Sequence, residues 1–149
     1  MSEHITKLKW SRAPNPLAEN TYDRNHQVEL GDGVVVHTSA APEYKGDPTC
    51  ADPEELLVGA LASCHMLTFL AVADLKGYVV ESYEGKAIEF LEKGENGRQK
   101  ITRIELQPEI EFSGDKQPDA ENIKRMHASA HKNCFVANSI TARVDVQDA

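Results

Sequence analysis

The chain has 149 residues, 40% hydrophobic and 27% charged, which fits one soluble globular domain and excludes extensive disorder. Sixteen Lys and Arg against 24 Asp and Glu leave a formal charge of −8. A chain this acidic, with no cluster of Lys and Arg, repels phosphate backbones, so nucleic acid is not an expected partner.

The first residues, Met1 to Lys7, lack the basic start and apolar run of a secretory signal, so a cytoplasmic protein is expected. Thr6, Leu8 and Trp10 alternate with Lys7 and Lys9 and predict a first strand. A proline-containing loop follows from Ser11 to Asn20. Two β-prone runs, Gln27–Leu30 and Val34–Ser39, flank Gly31-Asp32-Gly33 and predict a hairpin. Residues 40–50 form a Pro/Gly loop.

The clearest predicted element is a helix opening at Asp52. Asp52 suits the N-cap, Pro53 the first helical position, and Glu55 completes a capping box. The helix runs to Lys76, and Gly77 is its terminator. Between Leu56 and Ala73 there is no Asp, Glu, Lys or Arg. That length approaches a membrane span. Gly59, Ser63, Cys64, His65 and Thr68 dilute the run, however, and acidic residues flank it, so a buried central helix is expected and no membrane. The small residues Gly59, Ala60, Ala62 and Ser63 would admit a second helix closely, which favours a helix shared between two subunits.

Val79–Leu91 is β-prone and a turn follows at residues 93–97. Ile104, Leu106, Ile110 and Phe112 then share one parity, opposed by Glu105, Glu109 and Glu111, in a strand interrupted or edged at Pro108. Asp119 caps a second helix whose apolar stripe is Ile123, Met126, Ala130 and Cys134. His127 and His131 are expected on its exposed face. Ile140, Ala142, Val144 and Val146 alternate in a last strand. The order β-β-β-α-β-β-α-β makes an α+β fold, a single domain over residues 1–149.

Three cysteines, Cys50, Cys64 and Cys134, are too few for a disulfide scaffold. In a reducing compartment they are free thiols. Cys64 and Cys134 fall on the core faces of the two helices. Each alone packs as a small hydrophobe; in contact, the two would form an exchanging pair. A reactive thiol needs a depressed pKa. Cys64 lies about three turns inside its helix, beyond the reach of the N-terminal dipole, so a cation is expected to stabilise it. His65 is a poor candidate within the same chain, since adjacent helical residues point about 100° apart; Arg24, in Tyr22-Asp23-Arg24-Asn25-His26, is a better one, the alternative being a solvent-facing arginine.

The segments Pro53-Glu54-Glu55-Leu56-Leu57, Ser63-Cys64 and Ala130-His131-Lys132-Asn133-Cys134-Phe135-Val136-Ala137-Asn138 resemble the osmotically inducible/organic hydroperoxide resistance (OsmC/Ohr) superfamily. The resemblance covers nearly the whole chain. It implies an intertwined α+β homodimer that reduces organic hydroperoxides without a cofactor or metal. It further implies Cys64 as peroxidatic thiol, Cys134 as resolving thiol, Arg24 as the arginine holding the thiolate, and Glu54 as the carboxylate orienting Arg24. A small dithiol of lipoyl type is the implied reductant. Cys50 has no counterpart. Glu54 and Cys64 lie ten positions apart, about 15 Å along an unbroken helix. They cannot share one guanidinium within one straight helix, so a composite site at the dimer interface is expected. The sequence departs from the family's peroxidases at His65-Met66-Leu67 and at Phe135, where proline often stands. Leu61, Met66, Phe69 and Phe135 are apolar neighbours that would favour alkyl hydroperoxides. Three other functions fit the residues less closely: a metal site using His131, Cys134 and Cys64-His65; a Cys/His hydrolase with His131 as base; and a non-catalytic carrier of a small ligand.

Overall fold

The structure, a computed structural model, describes residues 1–147 and divides into two compact units that meet in sequence at Leu56 and Leu57. The element order is the one expected from the sequence, with two helices and two three-stranded sheets.

In the first unit, β1 (Thr6–Lys9), β2 (His26–Leu30) and β3 (Val34–Thr38) form an antiparallel sheet in the order β1-β2-β3. The β2–β3 turn uses Gly31 and Gly33 at φ +58° and +92°, a region glycine enters without steric cost. Trp10, expected in β1, lies just past its end, where its indole N–H donates to the Asp23 carbonyl at 2.9 Å. After β3, a short 3₁₀ turn at Pro42–Tyr44 leads back to Ala51, which pairs in parallel with Thr38. Gly46 is required inside this loop: a Cβ there would sit 1.6 Å from the Ala40 carbonyl oxygen.

Helix α1 (Pro53–Leu75) starts as its capping box dictates. Asp52 accepts from the Glu55 N–H at 2.8 Å, and Glu55 accepts from the Asp52 N–H at 3.1 Å. The helix ends at Gly77, φ +78°, whose N–H donates to the Asp74 carbonyl while the Tyr78 N–H donates to Ala73. α1 is apolar on every side, yet this chain buries one stripe of it, Leu61, His65, Phe69 and Ala73, spaced by four. Leu67 and Leu75 remain exposed. By length and composition α1 is the one helix among the described residues that would suffice to cross a membrane.

The second unit is built on β4 (Val79–Lys93), β5 (Gln99–Ser113) and β6 (Arg143–Val146). β4 and β5 form a long antiparallel hairpin; β6 joins β5 in parallel, from Arg103↔Arg143 to Leu106↔Val146. Between β5 and β6 runs α2 (Ala120–Asn133), capped by Asp119, which accepts from the Asn122 N–H at 2.7 Å. Each cap of this kind is worth about 1 kcal/mol.

Two expectations are corrected here. Of the two readings at Pro108, interruption is the one corrected: β5 continues through the proline on a stretch that β6 leaves unpaired, the edge position the sequence also allowed. Pro108 lies beyond the last residue paired with β6 and opposite Gly85, where a Cβ would meet the Gln107 carbonyl oxygen at 3.0 Å and Pro108 Cα at 3.2 Å. The glycine leaves room for the main chain of Gln107 and Pro108 opposite it. The second correction is His127, which is buried rather than exposed.

The second unit holds two hydrophobic clusters. One joins Leu61, Ile104, Leu106 and Cys134; the other joins Phe69, Ala73, Met126 and Ala130. Ile104 and Leu106 come from the buried parity of β5, as the alternation predicts. The first cluster surrounds the thiols and the second fastens α1 to α2 beyond them.

Candidate functional site

Cys64 of α1 packs against Cys134 at the C-cap of α2, and both are free thiols. Cys134 is completely buried and Cys64 half-buried. The convergence follows from the two apolar stripes: the spacing that buries Leu61, His65 and Phe69 turns Cys64 toward α2, and the stripe Met126–Ala130–Cys134 turns the second thiol toward α1.

The two thiols have unequal acidities. Burial pushes the Cys64 thiol up, but hydrogen bonds to its thiolate outweigh that effect and bring it below the ordinary thiol range. The donors are the backbone N–H of Val136, the Cys134 thiol, the backbone N–H of Phe135 and the Thr68 hydroxyl. Thr68 has a single hydroxyl proton and also offers it to the Cys64 carbonyl at 2.8 Å, so the main-chain amides are the steadier pair. Cys134 is pushed up, first by burial and then by its bond to Cys64, against a smaller opposing effect of the Ala137 N–H at 3.4 Å. Cys64 is therefore the more acidic thiol of the pair and Cys134 the less acidic.

Sequence reasoning missed the source of this polarisation. It looked for a cation, whereas the groups acting on Cys64 inside the second unit are amides of the turn that follows α2. That turn reverses within six residues. The Asn138 N–H donates to the Cys134 carbonyl at 3.0 Å, the Ser139 N–H to Val136 at 3.0 Å, and Ala137–Ser139 closes a 3₁₀ turn. Such closely spaced N–H groups cradle an anion. Side-chain identity carries no record of them, and the only hint was the short span between Cys134 and the last strand.

Arg24 and Glu54 belong to the first unit. The Arg24 guanidinium lies over the Tyr22 ring, 3.8 Å from its centroid, and donates to Thr21 Oγ1 at 2.8 Å and to the Tyr22 carbonyl. Trp10 meets the same ring edge-on, with centroids 6.0 Å apart. Arg24 is thus held in a defined pose by its own segment. Glu54, in the first turn of α1, is half-buried. The Cys50 thiol is pushed up by burial and by the charges of Asp47 and Asp23, which makes it a poor nucleophile.

Of the apolar neighbours expected around Cys64, Leu61 and Phe69 are fully buried within the two clusters and have no surface for a ligand. Met66 is half-buried. Phe135 is 82% exposed, on the turn whose amide faces Cys64. His131 is exposed and is not among the groups acting on the Cys64 thiol. Among the described residues, no three or more His, Cys, Asp and Glu are grouped so as to hold a metal ion.

A family model described as "OsmC-like protein" matches residues 46–147. The uncharacterized protein YmaD of Bacillus subtilis is 25% identical over 129 residues, 84% of each chain. Among solved structures, an OsmC-like protein of unknown function from Vibrio cholerae is 38% identical with a TM-score of 0.92, each chain covered to 99%. The organic hydroperoxide resistance protein OhrB of Bacillus subtilis shares the fold at a TM-score of 0.68 and 20% identity, with 98% of this chain and 96% of that one covered.

Proposed function

The chain belongs to the OsmC-like protein family, and from that premise we propose that it is a cysteine-based peroxidase acting on organic hydroperoxides. The observation that carries this proposal is the polarised thiol pair, Cys64 lowered by hydrogen bonds and packed against a fully buried Cys134 whose thiol is pushed up.

The chemistry follows from that asymmetry. The Cys64 thiolate attacks the terminal peroxide oxygen and the O–O bond breaks. The alkoxide leaves and takes a proton from solvent to become the alcohol, while the terminal OH stays on Cys64 as a sulfenic acid. Cys134 then attacks the sulfenic sulfur through its own sulfur. Its proton leaves with the hydroxyl as water, and a Cys64–Cys134 disulfide forms. An external dithiol restores both thiols by exchange and is itself oxidised to a disulfide. The buried Cys134 can reach Cys64 without opening the core, because the two already touch. The cycle needs a reducing compartment, consistent with the cytoplasm.

Arg24 and Glu54 enter this proposal as a second layer, supplied by the partner subunit of a homodimer. Two features support the dimer: the exposed apolar side of α1 and the ten-residue interval between Glu54 and Cys64 on one unbroken helix. Arg24 would steer the peroxide and add to the amide stabilisation of Cys64, and Glu54 would orient it. Phe135, exposed on the turn that follows α2, would meet the alkyl group of the substrate.

The test is one equivalent of cumene hydroperoxide added to the reduced protein, with thiols mapped by mass spectrometry. A Cys64–Cys134 disulfide that forms within seconds, and is absent in Cys64→Ser, is the expected result. Intact thiols beside unconsumed hydroperoxide would refute the proposal.

A further inference from the structure

Beside the thiols lies a buried pair of histidines that the proposed reaction does not use. His65 follows Cys64 on α1, about 100° further round the helix, and His127 precedes Cys134 on α2 by two turns, so the histidine contact lies beside the thiol contact along the same pair of helices. His65 Nε2 and His127 Nδ1 are 3.0 Å apart. The rings are within 11° of parallel, with centroids 5.3 Å apart. That separation exceeds the nitrogen–nitrogen distance by about the two ring radii, so the rings meet end to end in one plane rather than face to face. Water does not compete for the bond: His65 is 1% exposed and His127 7%.

The surroundings fix the pair further. The Phe69 ring packs on His127, centroids 4.4 Å apart, and His131 lies one turn beyond on α2. Burial, His127 and His131 together push His65 down to about 4, so at neutral pH one imidazole N–H is donated to one lone pair. Such a bond is directional and costly to break when buried, since sliding the helices would strand two polar atoms away from water. The packing of Phe69 and Ala73 with Met126 and Ala130 in the same cluster is apolar and non-directional. They would tolerate a small slip. The neighbouring contact, Cys64 with Cys134, would not, because a disulfide demands a narrow Cβ–Cβ separation.

We infer that the His65–His127 hydrogen bond sets the register of α1 against α2 and thereby holds the Cys64 and Cys134 thiols at disulfide-forming distance. Both histidines are positioning residues. The inference rests on Cys64 and Cys134 acting as an exchanging pair, as proposed above, but it does not require a peroxide.

The test is therefore run without one. Wild-type protein and the doubly apolar H65L/H127L variant are equilibrated at pH 7 with mixtures of oxidised and reduced dithiothreitol. The Cys64–Cys134 disulfide forms as oxidised dithiothreitol becomes reduced. Removing both imidazoles together avoids leaving one ring of the pair without the other, and urea unfolding of the reduced proteins reads whether the fold is kept. The single variants His65→Gln and His127→Gln provide a second series. The equilibrium constant for the disulfide should fall about tenfold or more in all three variants while reduced-state unfolding of the double variant stays near wild type. An unchanged constant in a folded variant overturns the inference, as does a wild type that forms no Cys64–Cys134 disulfide. A wild type that forms the disulfide here, yet ignores cumene hydroperoxide, overturns the peroxidase proposal and leaves the positioning role standing.

Discussion

Acid should weaken this fold through His65. In the unfolded chain a histidine takes up its proton near 6.5. In the fold His65 resists until about 4, because burial and the neighbouring His127 and His131 oppose a charge there. Between those values the unfolded chain holds more protons than the folded one, so stability rises with pH and is lost as the pH falls. Each pH step is worth about 1.4 kcal/mol, so the whole window is worth about 3 kcal/mol, fully lost below about 4. That is a large share of a typical domain's stability. Urea unfolding at pH 7, 6, 5 and 4.5 on wild type and His65→Gln isolates the effect, since every carboxylate is common to both. Asp47, held below its ordinary 3.8 by Thr49 and Asn25, loses its contribution at still lower pH and does not enter the window. The variant should show the flatter profile. Parallel profiles would refute the argument that the fold excludes a charged His65.

Phe69→Ala should cost about 3–5 kcal/mol by urea unfolding, because Phe69 is fully buried against Tyr83, Phe112 and His127; a loss under about 1 kcal/mol would show that the cluster closes over the cavity. Gly46→Ala should cost about 1–3 kcal/mol or more, because the new methyl would occupy the place of the Ala40 carbonyl; a wild-type melting temperature would show that the loop yields freely.

The parts of the fold legible in the sequence were those with local causes. Asp52 and Glu55 close a reciprocal capping box, Asp119 caps α2, and Gly77 takes the positive φ that stops α1. Alternation in β5 named Ile104 and Leu106 as inward-facing, and the two helical stripes anticipated that Cys64 and Cys134 would meet. What escaped depended on non-local geometry. Pro108 stays in its strand at a stretch where β6 no longer pairs and where Gly85, more than twenty positions away in sequence, leaves the main chain room. His127 looked like a surface residue, and only its partner on α1 reveals it as buried. The amides acting on Cys64 belong to a turn whose path no side chain encodes.

The contact between Cys64 and Cys134 also has a topological meaning. A bond across it ties together two points about 70 residues apart, enclosing the whole β4–β5 hairpin and α2 in one covalent ring. Cross-linking a loop of that size removes unfolded-chain entropy worth about 4 kcal/mol. The oxidised and reduced forms are then two materials of different toughness made from one chain. Each turn of the proposed cycle would stiffen the molecule on oxidation and relax it on reduction, so that its resistance to heat or proteolysis reports the redox state it was last left in.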